Sequence, residues 1–174
     1  MIEIKNRKIN FLGDSITEGI GVSSRDKKYV EVFARKFEPA MVRNYGISGT
    51  RIARQQTPAV GNPRFDLDFC SRVAEMDADI VVVFGGTNDF DHGDAPMGSF
   101  DDRTPDTFYG ACHTLMLRLI EKYPTATIVF MTPLHRAVEV NDNGEKLSAY
   151  VGVIREVAAF YALPVLDLYT TAGI

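Results

Sequence analysis

Apolar positions fall into short runs and helically spaced stripes that alternate from one end of the chain to the other. Ile9 to Leu12 is a short apolar run that ends at Gly13 and reads as a first strand. Tyr29, Val32, Phe33 and Phe37 recur at helical spacing, and Pro39 stops that helix. Met41 to Tyr45 predicts a second strand, closed by Gly46 and Gly49. Arg51 to Pro63 carries Pro58, Gly61 and Pro63 and reads as a long loop or a broken helix. Phe65, Phe69, Val73 and Met76 predict the next helix. Ile80 to Phe84 is the clearest strand: β-branched, apolar on both faces and bounded by Gly85-Gly86, as a central parallel strand should be.

Phe90 to Arg103 is polar and rich in Gly and Asp, which predicts a loop over the top of the sheet. Thr104-Pro105 offers an N-cap followed by proline at the first helical position. Phe108, Ala111, Cys112, Leu115 and Leu119 form that helix's buried stripe, and Pro124 follows its end. Thr127 to Met131 is a fourth strand, and Asn141-Asp142-Asn143-Gly144 closes the polar loop after it. Leu147, Tyr150, Val151, Ile154, Ala158 and Tyr161 make a last helical stripe, and Pro164 to Leu168 a fifth strand. There is no repeat, low-complexity tract or linker. Strands separated by helices predict one α/β domain over residues 1–174: a five-stranded parallel sheet with helices on both faces. Its ligand crevice would lie at the carboxyl ends of the strands, where every Gly/Ser/Asn/Asp-rich exit named above falls.

Composition narrows the function classes. The chain has 174 residues, 45% of them hydrophobic, and a formal charge of −4. That leaves no basic face for nucleic acid and no polybasic membrane anchor. No apolar run is long enough to span a bilayer, and Met1 to Asn10 is too polar for a secretory leader. Cytoplasmic location is therefore expected. Cys70 and Cys112 lack metal-type spacing and are expected to be reduced, buried thiols. Nothing in the sequence specifies an oligomeric state.

Three strand exits carry candidate chemistry: Gly13-Asp14-Ser15, Asn44-Tyr45-Gly46-Ile47-Ser48-Gly49 and Gly85-Gly86-Thr87-Asn88-Asp89. In a doubly wound sheet they are neighbours. They would bring together the Ser15 hydroxyl, the Gly49 backbone N–H and the Asn88 carboxamide. Ser15 alone could be a nucleophile, a phosphate ligand or a helix cap; Gly49 alone could be turn punctuation, and Asn88 an Asx turn. Together they suit acyl transfer, in which a developing oxyanion needs preorganised donors about 3 Å away. Asp14 reads as a brace for its turn. The run Asp89, Asp91, Asp94, Asp101 and Asp102 with His92 fits no metal loop and reads as a solvated lid. Arg51 and Arg54 read as surface pairs that could also meet an anionic substrate. Gln55 to Pro63 and Asp91 to Arg103 are expected to form the substrate pockets.

In that order, each after a strand, the three segments resemble the first three sequence blocks of the SGNH hydrolases, the GDSL-like lipase/acylhydrolase family. Gly13-Asp14-Ser15-Ile16 with Thr17-Glu18-Gly19 resembles the nucleophile block, and Asn44 to Gly49 the block whose last glycine gives an oxyanion N–H. Gly86-Thr87-Asn88-Asp89 resembles the block with the oxyanion asparagine. The resemblance spans nearly the whole chain. It implies a flavodoxin-like three-layer α/β/α sandwich, hydrolysis of a small-molecule ester, Ser15 as nucleophile with Gly49 and Asn88 in the oxyanion hole, and no metal or organic cofactor. The second glycine of a G-x-S-x-G elbow is missing, which disfavours an α/β-hydrolase.

One block departs from the family pattern. The family's base lies in a D-x-x-H block after the last strand, but Asp167 has Thr170 three positions on. The expectation is a longer protein with catalytic His and Asp beyond residue 174, and a chain that is a poor catalyst as it stands. His135, after the fourth strand, and His92 read as loop residues, and His113 as a packing or surface residue in a helix. The rival reading is a non-catalytic flavodoxin-like binding domain whose Ser15 loop cradles a phosphate or a flavin phosphate.

Overall fold

The computed structural model describes residues 4–73 and 77–173. Five strands, β1 (Lys8–Gly13), β2 (Met41–Gly46), β3 (Ile80–Phe84), β4 (Thr127–Met131) and β5 (Val165–Leu166), form one sheet in the order β2-β1-β3-β4-β5. All four pairings are parallel. Among the described residues, six α-helices, α1 (Ser15–Glu18), α2 (Tyr29–Phe37), α3 (Thr87–His92), α4 (Phe108–Lys122), α5 (Leu147–Phe160) and α6 (Leu168–Thr171), accompany the strands. The strand order reverses between β1 and β3, so the crevice opens at the carboxyl ends of β1 and its two neighbours. This is the α/β fold expected from the alternating pattern.

The period-2 alternation of β1 sorts its side chains between two cores. Ile9 and Phe11 join Val30 and Ile80 on the face covered by α2, where Phe11 meets the Tyr29 and Phe33 rings edge-on at 5.7 and 5.3 Å. Leu12 points the other way, into the larger core with Val81, Val83, Ile128, Phe130 and the stripes of α4 and α5. Leu115, Leu119, Val151, Ile154 and Val157 are essentially inaccessible. Cys70 and Cys112 are free and buried, and burial pushes the Cys70 thiol up to about 12. Among the described residues no helix is long and apolar enough to cross a membrane.

Several expected elements differ. The stripe Phe65, Phe69, Val73 is not an α-helix: the chain makes 3-10 turns at Pro63–Asp66 and Cys70–Arg72, and Met76 lies outside the described residues. Between the turns the backbone extends to pair with Arg51, which bridges Asp68 and accepts the Phe69 N–H at 2.8 Å. Phe69 is nevertheless fully buried while Phe65 stays exposed, so the spacing reported burial at Phe69 but neither at Phe65 nor in the conformation. The long helix starts at Thr107, not Thr104, because the Thr107 hydroxyl accepts the Gly110 N–H at 3.1 Å. Pro105 lies before it and uses its carbonyl to accept the Arg54 N–H. The loop expected from Phe90 begins only after α3, which buries Phe90.

Candidate active site

Register levels the three exits. Gly13 lies opposite Gly46 of β2 and Phe84 of β3, so all three loops leave the sheet at one height, with adjacent strands about 4.8 Å apart. Ser15 is the first residue of α1. The Asp14 carboxylate caps that helix by accepting the Ile16 N–H at 2.9 Å. The Ser15 N–H, at the first helical position, has no intrahelical acceptor. The turn is tight: a Cβ on Gly13 would lie 2.0 Å from Thr17 Oγ1.

The second exit closes over α1. A Cβ on Gly46 would lie 2.1 Å from the Glu18 N, so only glycine lets β2 and α1 approach this closely. Asn44 donates from Nδ2 to the Thr17 carbonyl at 2.7 Å and accepts the Gly46 N–H at 2.8 Å. The neighbouring amides are all committed. Ile47 N–H goes to the Gly13 carbonyl, Ser48 N–H to Glu18 Oε2 at 2.6 Å, and Thr50 N–H to the Ile47 carbonyl. In this run only the Gly49 N–H has no protein acceptor among the described residues. Gly49 has φ +78°, which an L side chain rarely adopts.

At the third exit, Gly86 (φ +99°) turns the chain into α3 and buries Asn88. Asn88 Nδ2 donates to the Thr50 carbonyl at 2.9 Å, one residue beyond Gly49. An amide NH₂ has two hydrogens, so one remains for a ligand. Asp89 is wholly buried and accepts the Ile52 and Ala53 N–H groups at 3.0 and 2.8 Å. Ser15, Gly49 and Asn88 thus share one rim, tied together by Glu18 and Asn88.

Arg72 is the residue that sequence reasoning missed. Its guanidinium donates to the Tyr45 carbonyl (2.8 Å), the Gly13 carbonyl (3.2 Å) and Thr50 Oγ1 (2.9 Å), and lies over the Phe69 ring. It joins the ends of β1 and β2 to the Gly49 loop. Burial lowers its pKa to about 10, against the raising influence of Asp68 and Asp14. A lone arginine 59 positions from Gly13, in an apolar stripe, carries no sequence signal for this role.

The remaining candidates fall elsewhere. Arg51 is buried, not a surface cation, and donates to the His92 carbonyl at 3.1 Å, while Arg54 pairs with Asp106 at 3.0 Å. The acidic run brackets backbone and pairs with cations: Asp94 accepts from Gln56 and Thr57, Asp102 from Ser99, and Asp91 pairs with Arg136. Among the described residues no group of three or more His, Cys, Asp or Glu side chains could hold a metal ion. His135 Nδ1 lies 3.0 Å from Glu139, with its ring stacked on Tyr169. His92 Nδ1 lies 3.2 Å from Asp91, and His113 Nδ1 3.2 Å from Tyr161 Oη. Asp167 accepts from Thr132 and Thr170 and pairs with Arg155.

Burial raises both rim carboxyls, Asp14 and Asp89, to about 6, against the backbone N–H groups they accept and the nearby Arg72 and Arg51. A carboxyl that binds its proton more tightly when folded contributes stability that is full below its unfolded pKa of 3.8 and is lost as pH rises through about 6. Asp89→Asn is therefore expected to flatten the fall in melting temperature between about pH 4 and 6, with Asp14 supplying the slope that remains. Equal slopes in thermal melts of the two proteins would contradict this.

The chain matches the GDSL-like Lipase/Acylhydrolase family over residues 11–173. It belongs to that family. No curated protein matches it. A solved structure from Lactobacillus plantarum is 30% identical, with a TM-score of 0.82 over 100% of this chain and 81% of that one. A structure from Chitinophaga pinensis DSM 2588, described as a possible lipase, is 24% identical (TM-score 0.73; 94% and 68% covered). The native M. smegmatis aryl esterase is 22% identical (TM-score 0.66; 92% and 83% covered). These last two share the fold with this family member. Family membership makes ester hydrolysis of small molecules its general chemistry.

Proposed function

We propose that this GDSL-family chain hydrolyses a small carboxylic ester, an acetylated carbohydrate or a short-chain acyl ester, with Ser15 as nucleophile. In this reading Ser15 Oγ attacks the ester carbonyl, and the carbonyl oxygen takes the negative charge. The N–H groups of Ser15 and Gly49 and the second hydrogen of Asn88 Nδ2 receive that oxygen. Collapse expels the alcohol, leaves an acyl-serine, and water completes the turnover. The observation that carries the proposal is the Gly49 N–H, left without a protein acceptor while its neighbours in the loop are all used.

The base is proposed to come from sequence beyond Ile174. In support, neither ring nitrogen of any of the three histidines makes a hydrogen bond to Ser15 among the described residues. Phosphate binding at the Ser15 loop is disfavoured, because the Asp14 carboxylate already occupies the N-cap where an anion would sit. The two free, buried thiols support a reducing, cytoplasmic setting. The test is site mapping. An alkyl fluorophosphonate is expected to modify Ser15 and no other residue in peptide mass spectra; an adduct elsewhere, with Ser15 unmodified, would sink the assignment.

A further inference from the structure

Glu18 joins the helix that begins at Ser15 to the loop that carries Gly49. Its backbone N–H donates to the Asp14 carbonyl at 2.9 Å, and the Ser15 carbonyl accepts the Gly19 and Ile20 N–H groups, both at 2.9 Å. Ser15 and Glu18 are therefore the two ends of one closed helical turn. From that turn the Glu18 carboxylate reaches the second exit, where Oε2 accepts the Ser48 N–H at 2.6 Å. Its other oxygen, Oε1, pairs with Arg64 at 2.8 Å.

The bond to Ser48 is the hold on Gly49. The loop is anchored on one side by the Ile47 N–H on the Gly13 carbonyl, and on the other by the Thr50 carbonyl, which accepts Asn88 Nδ2. Between those anchors, Glu18 is the only group that hydrogen-bonds to Ser48 or Gly49 among the described residues. By taking the Ser48 N–H it also removes the donor next to Gly49, which leaves the Gly49 N–H as the uncommitted amide of the run. Burial would raise the Glu18 pKa, but Arg64, the Ser48 N–H and Lys28 outweigh it and hold the carboxyl below its ordinary value. The group stays ionised, and an N–H bond to an ionised acceptor is stronger than one to a neutral group.

We infer that Glu18 is a positioning residue that fixes the Gly49 N–H relative to Ser15, a role that rests on the ester-hydrolase reading above. It acts through Ser48 and touches no substrate. An oxyanion donor must lie about 3 Å from an oxygen that carries its charge only in the transition state. Misplacing that donor slows the chemical step and leaves ground-state binding alone.

An alkyl p-nitrophenyl phosphonate tests this on the full chain. Ser15 Oγ bonds to phosphorus, the bond to p-nitrophenolate breaks, and the serine proton passes to water. The amount of p-nitrophenolate released counts competent Ser15, while the rate constant and half-saturating concentration separate chemistry from binding. Glu18→Ala is expected to lower the saturating rate constant about ten- to a hundredfold with half-saturation unchanged. A merely destabilising change would lower the amount released but not the rate constant, and that result would overturn the assignment. Glu18→Gln keeps an acceptor for the Ser48 N–H and should recover most of the rate. Glu18→Asp keeps the charge but is one methylene short of Ser48; it should stay slow, and it decides the matter if the alanine variant does not fold. An alanine or aspartate variant within about twofold of wild type overturns the role of Glu18 alone. Wild-type release no faster than that of Ser15→Ala overturns the ester-hydrolase reading and the role of Glu18 with it.

Discussion

Asn88→Ala is expected to slow acylation of Ser15 by about 10²–10³-fold, the usual cost of one oxyanion donor. Asn88 Nδ2 spends one hydrogen on the Thr50 carbonyl, which fixes the carboxamide, and has one left for a developing oxyanion. Asn88→Asp separates these two roles. Aspartate keeps the side-chain volume, but when ionised it has no donor and places a negative charge where the oxyanion would form. It should therefore be at least as slow as the alanine variant. Rates of p-nitrophenolate release, compared at equal folded fraction by circular dichroism, give the measurement. An Asn88→Ala protein within threefold of wild type would remove Asn88 from the oxyanion site.

Arg72→Ala is expected to cost about 3 kcal/mol of stability, from hydrogen bonds of a charged donor worth about 1.5–3 kcal/mol each, reduced by the relief of burying the guanidinium. For a chain of this size that is a fall of roughly 6–12 °C in melting temperature. The loss leaves the Tyr45 and Gly13 carbonyls and the Thr50 hydroxyl without their shared donor. Arg72→Lys keeps the charge but not the planar fork that reaches all three, so it should recover only part of the stability. Thermal melts check both variants, and a lysine protein as stable as wild type would mean that charge alone matters.

Much of the fold could be read from the chain because each signal is local. Ile80 to Phe84 forms a strand with the bounds its β-branched run predicts, since burial on both faces requires an unbroken apolar sequence. The failures share a cause. The Phe65–Phe69–Val73 spacing matches a helix face, but Asp68 and Phe69 pair with Arg51, and a long-range backbone partner outweighs a weak local preference. Thr104 and Thr107 are both competent N-caps, and the choice fell to Thr107, whose hydroxyl also donates to Asp102 at 2.8 Å.

The sequence by itself determined the alternating architecture and which strand exits carry Ser15, Gly49 and Asn88. Alternation of apolar runs dictates parallel strands, and glycine, serine and asparagine mark the turns at their ends. Only the tertiary structure decided how those exits are joined. Register set Gly13 level with Gly46 and Phe84, Arg72 clamped the loops from 59 residues away, and the Gly49 N–H was left unclaimed among committed neighbours. The physical reason is range: secondary structure follows from interactions within a few residues, whereas a rim built from three loops depends on hydrogen bonds between residues far apart in the chain.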